Sequence, residues 1–211
     1  MANILIFGDS ITYGAWDEEG GWAQRLRKVI DERIIKSQFN KYHVLYNLGI
    51  PGDQTGDLIE RFEQEVKARS QEEETIILFA IGINDSSYHN PTGSLSTSFH
   101  QFQKNISQLI SLAREYTEKI VFIGLTPVDE LKVDPMPWYE GYSYKNDHIR
   151  KYDEAIQDRC KKENIPFIPV FQEWVKTDYK KLLIDGVHPN TKGHEVLFEI
   201  VYDYLIGKEI I

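Results

Sequence analysis

The chain has 211 residues, 41% of them hydrophobic, with 24 Lys and Arg against 33 Asp and Glu for a net charge of -9. That length suits one folded unit over residues 1–211, and the acidic balance repels phosphate backbones and anionic membrane surfaces, so nucleic acid is not an expected partner. A single cysteine, Cys160, excludes an internal disulfide and any cysteine cluster for metal binding or catalysis.

The first apolar run, Ile4 to Phe7, reads as a buried strand; it is too short for a signal-peptide core or a bilayer span. A cytoplasmic location without a stable membrane anchor is therefore expected. Further strands are predicted at His43 to Leu48, Thr75 to Ile81, Ile120 to Leu125 and Phe167 to Phe171. Between them, apolar residues recur at helical spacing. One stripe holds Trp22, Leu26, Val29 and Ile30; a second Leu58, Ile59, Phe62 and Val66; a third Phe99, Phe102, Ile106, Leu109 and Ile110. A last stripe runs from Val196 to Leu205, capped by Asn190 or Thr191.

Alternating strands and helices predict an α/β fold with a parallel sheet covered on both faces. The acidic residues are dispersed, Glu72 to Glu74 being the longest run, and read as a solvated surface. The one long irregular stretch, Thr126 to Tyr142, reads as a functional loop or a disordered one.

In open parallel sheets the ligand crevice lies beyond the carboxyl ends of the strands. The first strand runs there into Gly8-Asp9-Ser10-Ile11-Thr12-Tyr13-Gly14, the second ends in Gly49-Ile50-Pro51-Gly52-Asp53, and the third in Gly82-Ile83-Asn84-Asp85. Asp185-Gly186-Val187-His188-Pro189 precedes the last helix. A serine needs a base to take its proton, and the base needs a partner that fixes its tautomer. His188 and Asp185 fill those roles for Ser10, because three residues let a carboxylate reach one imidazole nitrogen across a single turn. Donors for an oxyanion are available from the backbone amides of Ser10 and Gly52 and the side-chain amide of Asn84.

These four blocks resemble those of the GDSL esterases and lipases, the SGNH hydrolases, over nearly the whole chain. The resemblance implies a flavodoxin-like three-layer α/β/α sandwich around a five-stranded, mainly parallel sheet. It also implies Ser10 as nucleophile and amide donor, Gly52 and Asn84 as oxyanion donors, His188 as base and Asp185 as its support. Ile11 stands where the family name has leucine. The expected activity is hydrolysis of a small-molecule acyl ester or O-acetyl ester through an acyl-enzyme, with no cofactor.

No histidine pair has zinc-ligand spacing, so no metal site is expected. His43 is assigned to a strand, His89 and His100 to the flanks of the third helix, and His148 and His194 in or beside helices. Substrate contacts are expected from Tyr13, Trp16, His89, Trp138 and Tyr139, aromatic or polar residues in loops over the sheet edge. Two other readings stay open. One is a flavodoxin-like phosphate or nucleotide binding module using Gly8 to Gly14; the other is a catalytically silent relative.

Overall fold

The computed structural model describes residues 2–40, 42–70 and 74–211; Glu72 and Glu73 of the acidic run lie outside them. In chain order the elements are β1 (Ala2–Gly8), α1 (Ser10–Tyr13), α2 (Gly21–Lys36), β2 (His43–Gly49), α3 (Thr55–Arg69), β3 (Glu74–Ala80), β4 (Tyr88–His89) and β5 (Ser94–Leu95). Then follow α4 (Phe99–Arg114), β6 (Ile120–Ile123), α5 (Glu130–Val133), β7 (Tyr142–Ser143), α6 (Asn146–Glu163), β8 (Phe167–Ile168), α7 (Val170–Trp174) and α8 (Thr191–Gly207). β2, β1, β3, β6 and β8 form, in that order, a sheet whose neighbours are all parallel.

The chain leaves β1 for β2 on one side and returns across it to β3 on the other. The carboxyl end of β1 is therefore the topological switch point, where open α/β sheets hold their ligands. α2 packs against α8 on one face, while α3, α4 and α6 pack in series on the other, giving three layers. β1 is buried along its whole length, as expected of a strand covered on both faces. The buried apolar side chains of all three layers form one cluster, with Trp22, Trp174, Tyr152 and Phe7 among its largest members. Among the described residues no helix is long and apolar enough to cross a membrane.

Four sequence expectations are corrected. The strand at Phe167 to Phe171 stops at Ile168, because Pro169 has no N–H for the ladder, and Val170 and Phe171 enter the short helix α7. No apolar stripe was assigned to α6, although His148 was placed in or beside a helix; Ile149, Tyr152, Ile156 and Cys160 line its buried face amid many charged residues. The stretch from Thr126 to Tyr142 is not wholly irregular, since it contains α5 and delivers Tyr142 to a small antiparallel sheet ordered β5-β4-β7. His100 lies inside α4, not at its flank, whereas His43 is in β2 and His148 and His194 are in helices.

The turn that carries Ser10 is wedged against β2. A Cβ built on Gly49 would stand 2.4 Å from the Tyr13 amide nitrogen and 2.8 Å from the Asp9 carbonyl oxygen, so only glycine lets α1 approach. Gly49→Ala is expected to displace α1 and to destabilise the fold by about 1–3 kcal/mol, the usual effect of overpacking. Urea unfolding measures it, as a lower midpoint at unchanged slope. A wild-type midpoint would show that α1 yields freely.

Candidate active site

Ser10 opens α1 directly after β1. Asp9 caps this one-turn helix, its Oδ1 accepting from the Ile11 amide at 2.9 Å. Ser10 itself is only 8% exposed, yet its hydroxyl reaches the far end of the chain: Oγ lies 2.9 Å from His188 Nε2. The other ring nitrogen, Nδ1, lies 2.6 Å from Asp185 Oδ2.

Asp185 achieves this by folding a tight turn on itself. Its Oδ1 accepts from the amides of Val187 at 2.9 Å and His188 at 2.8 Å, leaving Oδ2 for the imidazole. Burial works to raise the Asp185 carboxyl, but the His188 side chain and these two amides outweigh it and hold the group below its ordinary value. An ionised Asp185 accepts a proton-bearing Nδ1–H, so Nε2 is left to accept from the Ser10 hydroxyl.

The Gly52 turn is built from Ile50-Pro51-Gly52-Asp53, closed by the Asp53 amide donating to the Ile50 carbonyl at 3.2 Å. Gly52 has φ +89° while a Cβ there would meet nothing within 4 Å, so backbone conformation and not space requires glycine. Arg61 from α3 fixes this corner, its guanidinium donating to Asp53 Oδ2 at 2.8 Å and to the Leu48 carbonyl at 2.9 Å.

Asn84 begins a single 3₁₀ turn after β3. Its Nδ2 donates to the Asp53 carbonyl at 3.0 Å, and its Oδ1 accepts from the Tyr144 hydroxyl at 2.6 Å. Both ends of the amide are thereby oriented, and among the described residues no second acceptor meets Nδ2. Next to it, buried Asp85 accepts from the Thr55 amide at 2.9 Å and the Thr55 hydroxyl at 2.5 Å, tying this turn to the start of α3. Among the described residues the amides of Ser10 and Gly52 donate to no protein group.

A cavity of about 920 Å³ opens over these groups, within the range of small-ligand sites. Ser10, Gly52, Asn84 and His188 form its floor, and Tyr13, Trp16, Trp138 and Tyr139 line it. Those four aromatic residues are 57%, 67%, 49% and 55% exposed, so they form a rim and not a core. His89 is the exception among the expected contacts. It belongs to β4, lies tilted with its ring centroid 4.7 Å from that of Tyr142 and bonds Thr92, while Ser87 represents its loop in the cavity wall. Three of the four acidic side chains of the 126–142 stretch also turn elsewhere: Asp129 and Asp134 face Lys180 and Lys145, and Glu130 accepts from the Asn146 amide.

Trp16 and Trp138 flank the imidazole, with ring centroids 5.9 and 6.4 Å from His188. Trp16 Nε1 is 3.2 Å from His188 Nδ1. Because Nδ1 already directs its proton to Asp185, the indole covers that edge of the pair and is not a second donor to it. Trp16 takes a left-handed φ of 66°, unusual for a large side chain.

Its neighbour Asp17 holds the segment in place. The carboxylate pairs with Arg25, accepts from the Gly21 amide at 2.8 Å and accepts from the Thr191 hydroxyl, at the start of α8, at 2.9 Å. Tyr144 and Asp17 were not among the residues anticipated from sequence. Nothing in their local spacing marks them, since each bonds a partner distant along the chain, Asn84 and Thr191.

The fold and site together define an α/β hydrolytic enzyme with a serine at the switch point. A model of the GDSL-like lipase/acylhydrolase family matches residues 6–196, and the chain belongs to that family, whose members act on ester bonds. An isoamyl acetate-hydrolyzing esterase of Saccharomyces cerevisiae is 25% identical over 205 residues, 93% of this chain and 82% of the yeast protein. A lipase/acylhydrolase from Enterococcus faecalis has the same fold, with a TM-score of 0.74 at 23% identity over 99% of this chain and 97% of its own. An acetylxylan esterase from Geobacillus stearothermophilus gives 0.72 at 20% identity, over 97% and 94%.

Burial works to raise the Asp17 carboxyl, but Arg25, Gly21 and Thr191 overcome it and hold the group far below its ordinary 3.8. A depressed carboxylate contributes stability above its unfolded value and loses it as pH falls through the folded one. Asp17→Asn is therefore expected to lower stability by about 3 kcal/mol at pH 7, with the gap to wild type closing below about pH 4. Thermal melts of both proteins across that range test it; a gap independent of pH would remove the carboxylate from the account.

Proposed function

We propose that the protein is a serine esterase that cleaves neutral carboxylic esters with short acyl groups, acetates included, through an acyl-enzyme on Ser10. The observation that carries this reading is the continuous chain from Ser10 Oγ to His188 Nε2 at 2.9 Å and from His188 Nδ1 to Asp185 Oδ2 at 2.6 Å.

In this mechanism Ser10 Oγ attacks the ester carbonyl as its proton passes to His188 Nε2, and Asp185 stabilises the imidazolium. The carbonyl electron pair moves to the oxygen, which is met by the Ser10 and Gly52 amides and Asn84 Nδ2. The tetrahedral adduct collapses, the C–O bond to the alcohol breaks, and His188 returns its proton to that oxygen. Water then attacks the acyl-enzyme with His188 again as base, releasing the acid and restoring Ser10.

The substrate class rests on the cleft. Its aromatic rim and its lack of lysine or arginine suit an uncharged ester better than an anionic one. The yeast relative is named for hydrolysis of isoamyl acetate and the Geobacillus structure for acetylxylan, which supports acetate esters. A phosphate-binding role for residues 8–14 is disfavoured. α1 has only four residues, and its Ile11 amide is already taken by the Asp9 carboxylate, which would repel a phosphate.

Ser10→Ala is expected to reduce hydrolysis of short p-nitrophenyl esters by roughly a millionfold and to abolish labelling by a fluorophosphonate. Retained turnover would sink the nucleophile assignment, and an unlabelled wild-type serine would favour a silent relative. Asn84→Ala is expected to slow kcat by about a hundredfold to a thousandfold while the protein still folds, as its circular dichroism checks. An unchanged rate would remove Asn84 from the oxyanion site.

A further inference from the structure

Beneath the nucleophile turn lies a second, small chamber that shares no lining residue with the cleft. It offers about 20 Å³, room for a single water molecule. Ile123 and Leu197 supply apolar wall, but four lining residues are polar: Asp9, Thr12, Trp22 and Thr126. All four are at least nine-tenths buried.

Folded proteins pair their buried polar groups. Here Thr12 Oγ1, Trp22 Nε1 and Thr126 Oγ1 have no protein partner, although each is buried. Asp9 Oδ1 accepts from Ile11, while among the described residues no group donates to Oδ2. Polar groups from three separate places along the chain, the Asp9-to-Thr12 turn, Trp22 and Thr126, thus converge on one small space. Their chemistry is complementary through a water: an indole N–H can only donate, a carboxylate can only accept, and a hydroxyl does either. A water that accepts from Trp22, donates to Asp9 and bonds the two threonine hydroxyls has the three or so partners usual for a buried site.

We infer that this chamber binds one water molecule, held by Asp9, Thr12, Trp22 and Thr126, and that this water braces the turn carrying Ser10. The connections give it that role. Asp9 and Thr12 flank Ser10 on α1, Trp22 belongs to the first turn of α2, and Thr126 follows β6. One water therefore ties the nucleophile turn to two elements that do not otherwise bond to it through side chains. These are positioning residues, acting on Ser10 through the water and touching no substrate. The hydration of the chamber stands apart from the role of Ser10; the effect on turnover rests on Ser10 being the nucleophile.

Thr126→Val tests it by the sign of the stability change. The two side chains have nearly the same shape. In a dry chamber, replacing an unpartnered buried hydroxyl with a methyl raises Tm; with water bound, it strips a partner from that water and lowers Tm. The expected result is a fall of several degrees, with Thr126→Ser, which keeps the hydroxyl, closer to wild type than Val. kcat for p-nitrophenyl acetate is expected to drop about tenfold in Thr126→Val at unchanged KM, because the cleft wall is untouched. A high-resolution crystal structure of the wild-type protein is expected to show a water within hydrogen-bonding distance of at least three of the four residues. A Tm at or above wild type in Thr126→Val, or no such water in the crystal, overturns the site. An unchanged kcat overturns the bracing role. Should Thr126→Val fail to fold, the crystal structure and the Thr126→Ser comparison still decide. Turnover surviving in Ser10→Ala would defeat the nucleophile reading alone, since the crystallographic result does not depend on it.

Discussion

The 2.9 Å contact between Ser10 and His188 spans 178 positions of the chain, and the site exists only because the two ends are brought together. Nothing local can do this, since Ser10 sits on a four-residue helix and His188 in a turn. The closure is distributed along the packing of α2 on α8. The Asp17 carboxylate receives the Thr191 hydroxyl, and the Trp22 amide donates to His194 Nδ1 at 3.3 Å. Burial drives the His194 ring down to about 4, so it stays neutral and keeps a lone pair for that amide near neutral pH. The residues just after the serine are thus joined to those just after the histidine, and the 2.9 Å separation follows from helix packing.

The second constraint comes from the sheet edge. Parallel strands end in carbonyl groups that need donors, and here those donors and the groups proposed to meet the oxyanion are arranged by the same residues. Arg61 serves the carbonyl of Leu48 and the carboxylate of Asp53, whose own carbonyl receives Asn84 Nδ2. A change at Arg61 would therefore reach the Gly52 turn and Asn84 together. The buried guanidinium belongs to the architecture of the site without lining it.

Legibility from sequence followed locality. The Asp185-to-His188 turn is encoded within four residues, because a carboxylate accepting the next two amides is a local motif, and so its geometry was readable. Long uniform segments such as β1 and α4 were equally plain. The two-residue strands β4, β5 and β7 were not, since nothing but mutual pairing defines them. α6 has a regular buried stripe, but its dense charges obscure the apolar face. Tyr144 was hidden for a different reason. It orients Asn84 from 60 positions away, and no spacing rule connects a tyrosine after one loop to an asparagine after a strand. His89 shows the converse: a polar residue in the right loop still faces a neighbouring ring when the loop pairs as a strand.

Charge around the site argues for division of labour in the proposed mechanism. Asp9 and Asp85 are buried close behind Ser10, and burial raises them to about 7 and about 6. Asp53 is also raised by burial, though Arg61 pulls against it, while Asp185 and Asp17 are held low. Such a field favours the imidazolium that forms on His188 and opposes the oxyanion that forms at the same moment. A lysine or arginine at the oxyanion position would answer the second need but would repel the imidazolium beside it. Neutral donors answer both, because amide dipoles aimed at one atom stabilise charge there while adding none nearby. The same field bears on substrate choice. An ester with an anionic acyl or alcohol part would enter against these carboxyls, whereas a neutral acetate carries charge only in the transition state, where the amides of Ser10, Gly52 and Asn84 converge.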